Sequence, residues 1–481
     1  MRSAIEFLDS RTVEHTHFLD RRVTPIRRYE HNPIIPEAND IATVLKGNDG
    51  VIRLWYKTKV PVPGIRPHGG RIVIGVYRLC YAESTDGITW TRPELGLKDV
   101  DGSKANNVVL NYAGTMGPVP PEYKKPDVDS AGRPVEANCI LDRELTPMPH
   151  TRGRFTALSH HGTSFAFSDD GLTWTAYPEN PVVSFGGSDT YNSFVFDPDT
   201  GRYVLFHRPH PNIHAGWARV NRLVARIESD DLVNWDWDSA RCVLDTDSRD
   251  APAVNPKGDS QRGRLQQFYG VNVVRHGDLF VGLAQLLDDG RNGWFDVHLV
   301  HSRDGIDWQR ELPDQPLIPL LGHGHWDSGM VWAKPPIPMG DDLYIYYTGS
   351  NMSHQYQMMN DETLDQRQIG LGIIRRGRLV GYHAGEAEGE LLTRPFMLTA
   401  GQLFLNADAS GGEIKAAVAQ GNGKPVPGLG KEDFTPISGD GLELPMVWGE
   451  PGKLAELVGQ RIRLRIAVRT GAIYGLQMGQ R

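Results

Sequence analysis

The chain has 481 residues, with 51 Lys and Arg against 59 Asp and Glu for a net charge of −8. No basic cluster or stripe stands out, which argues against a phosphate-tracking nucleic-acid partner, and no run of 18 or more apolar residues offers a membrane-spanning helix. Hydrophobic residues at 39%, together with 53 Gly, 33 Pro and 11 Trp, suit a turn-rich all-β protein in which helix is scarce. The opening stretch, MRSAIEFLDSRTVEHTHFLDRR, has no apolar core of signal-peptide length, so a cytoplasmic protein is expected. Cys80, Cys139 and Cys242 lie in or beside apolar strands without metal-ligand spacing and read as buried free thiols.

In chain order, the first β-rich segment, 41–57, is a hairpin around Asn48, Asp49 and Gly50. The strand VYRLCYAES then runs into a turn written Ser84, Asp86, Gly87, Trp90. Residues 98–137 hold Gly, Pro, Lys and Asp with few apolar positions and read as a long excursion. A second segment, 138–161, leads to the same turn at Ser168, Asp170, Gly171, Trp174. A third, 191–209, is followed by Ser229, Asp231, Trp235, and a fourth, 268–286, by Ser302, Asp304, Gly305, Trp308. The fifth, 329–350, lacks the Trp turn and passes through a polar loop into IGLGIIRRGRLVGY. After Gly385 short alternating strands continue without the repeat.

A repeat of strand, Asp turn and packing Trp is one propeller blade per copy. The spacing predicts a five-bladed β-propeller over 1–385, with an irregular last blade where the ring closes, and a β-sandwich over 386–481. Inner strands of a propeller deliver side chains to one shared mouth. The residue ahead of each inner strand is Asp40, Glu136, Asp189, Gln267 and Asp327 in turn. Four acids converging at one mouth would shift one another's protonation, as a pair of catalytic carboxylates requires.

The runs LCYAESTDGITWTRPELGL, SDTYNSFVFDPDTGRYVLFHR and GEAEGELLTRPFMLTAGQLFLNADASGGEIKAAVAQGNGKPVPG together resemble bacterial proteins grouped with the five-bladed propeller glycosidases. That superfamily takes in arabinanases, β-xylosidases, invertases and levanases, several with a C-terminal β-sandwich. The Trp-Met-Asn-Asp-Pro and Glu-Cys strings of the invertases are absent, so invertase specificity does not carry over. The resemblance implies Asp40 as base or nucleophile, Glu136 or Asp189 as acid, and Asp327 as the residue that orients substrate or tunes the acid.

Substrate holders around the acids are Arg208, His210, Tyr269, Gln267, His325, Trp326 and His354, with His160 and His161 after the second segment. Trp326 is the expected stacking face for a sugar. His323 and His325 with Asp327 have the makings of a zinc site, yet two histidines in a Gly-rich loop more often line a polar pocket, and neither metal nor cofactor is expected. The leading expectation is an exo-acting glycosidase on an oligosaccharide or glycoside, the 98–137 excursion walling its pocket. A uronate lyase using Tyr269, His210 or His354 with Arg208, and a non-catalytic carbohydrate-binding propeller, are the competing readings.

Overall fold

A computed structural model of the chain describes residues 3–60, 75–116, 127–159, 162, 164–183, 192–209, 222–250, 266–288, 293–310, 312–354, 367–449 and 452–479. The repeated turn is a closed hydrogen-bond unit. Ser84 Oγ donates to Asp86 Oδ1 at 2.9 Å and accepts the Gly87 N–H at 2.8 Å, and the same carboxylate oxygen takes the Ile88 and Thr89 N–H groups, each at 2.8 Å. Ser168 with Asp170, Ser229 with Asp231 and Ser302 with Asp304 repeat it. The residue after the Asp has φ of 75°, 76°, 68° and 68° in the four copies. Glycine enters that region without cost. The third copy puts the buried Leu232 there, in a cluster with Phe165 and Trp235.

The first two turns also tie blades together. The Gly87 carbonyl accepts the Tyr346 hydroxyl at 2.8 Å, and the Gly171 carbonyl accepts the Trp55 indole N–H at 2.8 Å. A Cβ at Gly171 would lie 2.7 Å from the Trp55 ring, so the close approach also needs glycine. Trp90, Trp174 and Trp235 are buried as expected, and the half-buried Trp308 meets Phe206 edge-on at 5.6 Å.

The strands form five blades, each antiparallel from inner to outer edge. Blade one is Asp40–Lys46, Ile52–Val60, Gly75–Ser84 and Val108–Met116; blade two is Cys139–Asp142, Phe155–Leu158, Phe165–Ser168 and Thr175–Ala176. Blade three is Ser193–Asp197, Arg202–His207, Val224–Ser229 and Trp235–Leu244; blade four is Gln266–His276, Leu279–Asp288, Trp294–Ser302 and Trp308–Gln309. Blade five is Met330–Ala333, Asp342–Ser350 and Arg367–Arg375, and its outer strand is Arg27–Arg28 from near the chain start. The stretch 98–137 is therefore not a simple excursion: Val108–Met116 is the outer strand of blade one, paired to Gly75–Ser84 with register shifts that masked its alternation.

Short polar groups join the inner strands around the ring. Thr43 Oγ1 donates to the Asn138 carbonyl at 2.7 Å and accepts the Ile140 N–H at 2.9 Å. The Phe194 N–H reaches the Cys139 sulfur, Ser193 Oγ donates to the Val271 carbonyl at 2.9 Å, and Asn272 donates to the Ala333 carbonyl at 2.8 Å. Thr348 Oγ1 accepts the Ile41 N–H at 3.2 Å and closes the circuit from blade five to blade one.

Residues 1–26, 338–343 and 374–481 make a second compact unit. The expected boundary at 385 does not coincide with it. Ser3–Glu6, Val13–His17 and Asp20–Val23 pair with Gly471–Gly479, Gly389–Thr393 and Val380–Ala384 respectively, so the chain start belongs to this unit. Its ten strands form one continuous sheet rather than two separate ones. Gln402–Gln420 carries the continuity: its first half pairs with Gly471–Gly479, its second half with Arg461–Arg469, and register shifts lie between Ala409 and Ile414. One apolar face, with Leu405, Ile414, Leu464 and Ile466, forms the core. Of the three cysteines Cys80 is buried and Cys139 half-buried, whereas Cys242, near the end of the outer strand of blade three, is exposed. None of the helices is long and apolar enough, among the described residues, to cross a membrane.

The turn carboxylates predict an acid-labile ring. Burial pushes the Asp86 carboxyl up, but its amide and serine donors outweigh this and bring it from 3.8 to about 2; Asp170, Asp231 and Asp304 are lowered in the same way. A folded value below the unfolded one gives stability that is full above about pH 4 and lost as pH falls towards 2. Urea midpoints measured between pH 5 and pH 2 should fall in that window. Ser168→Ala, which strips the buried Gly171 N–H of its acceptor, should cost about 1–3 kcal/mol at pH 7, read as a lower urea midpoint.

Candidate functional site

Asp40 opens the inner strand of blade one and is buried. Its Oδ1 accepts the Trp332 indole N–H at 2.6 Å and the Thr348 hydroxyl at 3.4 Å, both from blade five, and its Oδ2 lies 4.0 Å from Lys57 Nζ. Lys57 stands opposite Asp40 in the strand register and is itself buried. Burial pulls the Lys57 ammonium down, while the charges of Asp40 and Glu136 push it back up. Glu136, whose charge also acts on that lysine, is half-buried and three residues ahead of the Cys139–Asp142 strand.

An aromatic wall continues from Trp332. Phe295 tilts against Trp332 with centroids 6.0 Å apart, Tyr269 stacks on Phe295 at 5.1 Å and 18°, and His354 meets Tyr269 edge-on at 5.2 Å. Guanidinium groups cover the wall: Arg208 and Arg222 lie 5.1 and 5.5 Å from the Tyr269 ring, and Arg367 lies 5.2 Å from Trp332. Gln267, inside the inner strand of blade four, accepts the Arg222 N–H at 3.0 Å and so sets that arginine. Asp40, Glu136, Arg208, Gln267, Tyr269 and His354 therefore belong to one neighbourhood.

Asp327 does not join them. Tyr347 and Thr348 are successive residues of an unbulged strand and point to opposite faces. Thr348 holds Asp40, whereas the Tyr347 hydroxyl donates to Asp327 Oδ2 at 3.1 Å. The same oxygen takes Arg28 Nε at 2.8 Å, and Arg28 Nη2 donates to the Pro319 carbonyl at 2.7 Å. Burial, then the Asp327 charge, pushes the Tyr347 phenol up. Asp327 is a closure residue of blade five, on the far face from Asp40.

Trp326 goes with it. The indole stacks on Tyr347 at 5.6 Å and 15° and sits over Gly349 and Gly370, where a Cβ would come within 2.4 and 2.9 Å of the ring. It packs the blade and is not set among the acids. His323 and His325 are exposed, and their presumptive partner Asp327 is turned to Arg28. Among the described residues no group of three or more His, Cys, Asp or Glu is placed to hold a metal ion. Asp189, His160, His161 and His210 lie outside the described residues.

Lys57, Trp332, Thr348, Arg222 and Arg367 were not expected from the sequence. A signal for Lys57 exists in the run IRLWYK, where a lone cation ends an apolar strand directly opposite an acid-led one.

No family model matches the sequence, and no curated protein matches it. Among solved structures the chain is similar to a glycosyl hydrolase from Bacteroides ovatus, at 15% identity over 74% of this chain and 95% of that one, TM-score 0.43. It is also similar to a family 43 arabinoxylan arabinofuranohydrolase from Bacillus subtilis in complex with cellotetraose, at 11% identity over 94% and 97%, TM-score 0.38. A third is a thermostable family-43 glycoside hydrolase, at 14% identity over 73% and 92%, TM-score 0.40. The propeller assignment made here stands on this chain's own strand pairing.

The Arg28–Asp327 pair predicts a large stability effect. Arg28→Met strips a fully buried carboxylate of its only ionic partner among the described residues, at an expected cost of about 3–5 kcal/mol. Thermal unfolding should show it, and Asp327→Asn in the same chain should recover most of the loss.

Proposed function

We propose that the protein is a glycoside hydrolase working at the mouth of the ring. The observation that carries this reading is the buried Asp40 at the start of the blade-one inner strand, held by Trp332 and Thr348 with Lys57 Nζ 4.0 Å from its Oδ2. Glycoside hydrolysis needs one carboxyl to protonate the leaving oxygen and a second to act on water or on the anomeric carbon. Every described polar partner of the Asp40 side chain is a donor, the setting a carboxylate acting as base or nucleophile requires. Glu136, half-buried ahead of the inner strand of blade two, takes the acid role. The buried Tyr269 and Trp332 rings carry the Arg208, Arg222 and Arg367 guanidiniums, donors suited to sugar hydroxyls, and carbohydrate is the proposed substrate class. Of the 98–137 stretch, Val108–Met116 is the outer strand of blade one; an exo mode is proposed with the rest of that stretch as its wall.

Hydrolysis of a panel of aryl furanosides and pyranosides tests the reading, and product sizes from an oligosaccharide decide between exo and endo attack. On a substrate the parent cleaves, Glu136→Gln and Asp40→Asn should each lower kcat by about 10²–10⁴-fold while the far-ultraviolet spectrum stays that of the parent. Full activity in either variant removes that residue from the mechanism.

The grouping of Arg208, Tyr269 and His354 supports a second reading, a uronate lyase in which the guanidinium neutralises the sugar carboxylate. An unsaturated, ultraviolet-absorbing product in place of a reducing sugar identifies it. Sugar binding that survives both acid-to-amide changes, with no turnover in the parent, identifies a binding propeller.

A further inference from the structure

Below the acids the inner strands of all five blades enclose a cavity of about 220 Å³. Lys334, just past the inner strand of blade five, lines it and is only 5% exposed. Its backbone N–H donates to the Tyr346 carbonyl at 2.9 Å, but among the described residues its ammonium makes neither an ion pair nor a hydrogen bond. Asp40 is the one carboxylate that acts on it, from beyond ion-pair distance, and Asp40 is already held by Trp332, Thr348 and Lys57.

Among the described residues no side chain of the lining is bonded to that ammonium. Thr43, Ser193 and Asn272 direct their donors into the backbone of the next blade. The acid in the lining, Asp142, is bound by Arg154 at 2.8 Å. The other cation in the lining, Arg275, is already paired with Asp199 at 2.7 Å and lies 3.9 Å from Asp197, so Lys334 alone is left without a counter-charge at contact distance. An isolated buried ammonium in a low-dielectric tube is strongly unfavourable. Since one water takes about 30 Å³ of liquid volume, the space admits a small ion with part of its hydration shell.

We infer that the central channel is an anion site, in which a small inorganic anion of the size and charge of chloride neutralises the Lys334 ammonium inside the ring. The site is independent of what the mouth of the ring hydrolyses. Crystals of the unmodified protein grown or soaked in sodium bromide should show an anomalous bromide peak beside Lys334 Nζ; water alone at that position overturns the inference. In solution, replacing sodium gluconate by sodium chloride at equal concentration should raise the unfolding midpoint by about 1–4 °C. Lys334→Met should abolish that rise. An equal rise in parent and variant overturns the assignment to Lys334, and the bromide experiment decides the matter even where the variant fails to fold.

Discussion

A propeller is stable only as a closed ring, because any blade left with an open side exposes both an apolar face and an unpaired edge. Here the closing segment runs on past Arg28, with Tyr29, Asn32, Ile34 and Ile35 bonded to Leu371 and Ile369, and contains one buried ion pair. The outer strand of blade five is two residues long, Arg27 and Arg28, bonded opposite Ile373 and Gly372. So short a strand contributes little by its ladder. The Arg28 side chain makes the join specific, reaching a fully buried Asp327 and the Pro319 carbonyl at once while lying 5.7 Å from the Tyr347 ring. A carboxylate at that depth is strongly unfavourable without its guanidinium, which discriminates against any other strand taking the place.

The candidate site depends on the same closure. Asp40 comes from blade one, but Trp332 and Thr348, which orient it, come from blade five. The seam that joins the ends of the ring is therefore also where the acid is set, and an error in closure would displace it from Trp332 before disturbing any other blade. Along other seams Thr43, Ser193 and Asn272 bond the inner strand of one blade to the next and hold them at fixed mutual height.

The architecture was readable because the Ser-Asp turn uses the same atoms four times, and its spacing survives even where Leu232 replaces glycine. Asp40 stands at the start of the inner strand of blade one and Glu136 three residues ahead of that of blade two, positions that the apolar runs IATVL and CIL mark in the sequence. Asp327 fails by the same rule, because a residue ahead of a strand inherits no obligation to face the axis, and Arg28, almost 300 positions away, determines where it points. Residues 1–26 were assigned to the wrong unit since their strands are short and their partners lie beyond residue 379. The lysines were missed because composition treats a cation as surface, and only the register opposite Asp40 shows Lys57 to be interior.

The position of Arg27–Arg28 has a consequence for how the chain is made. The strand that completes the ring leaves the ribosome first, and its partner, Arg367–Arg375, emerges some hundreds of residues later. At a synthesis rate of ~5–20 residues per second, the nascent chain spends on the order of tens of seconds with blades assembled and no closing strand. Throughout it Arg27–Arg28 is present but lacks its partner strand, so the outward face of blade one, and whichever blade is newest, are open to other nascent chains. Ring closure is thus necessarily a late event, and the vulnerability of this protein to aggregation should lie in its birth rather than in its finished state.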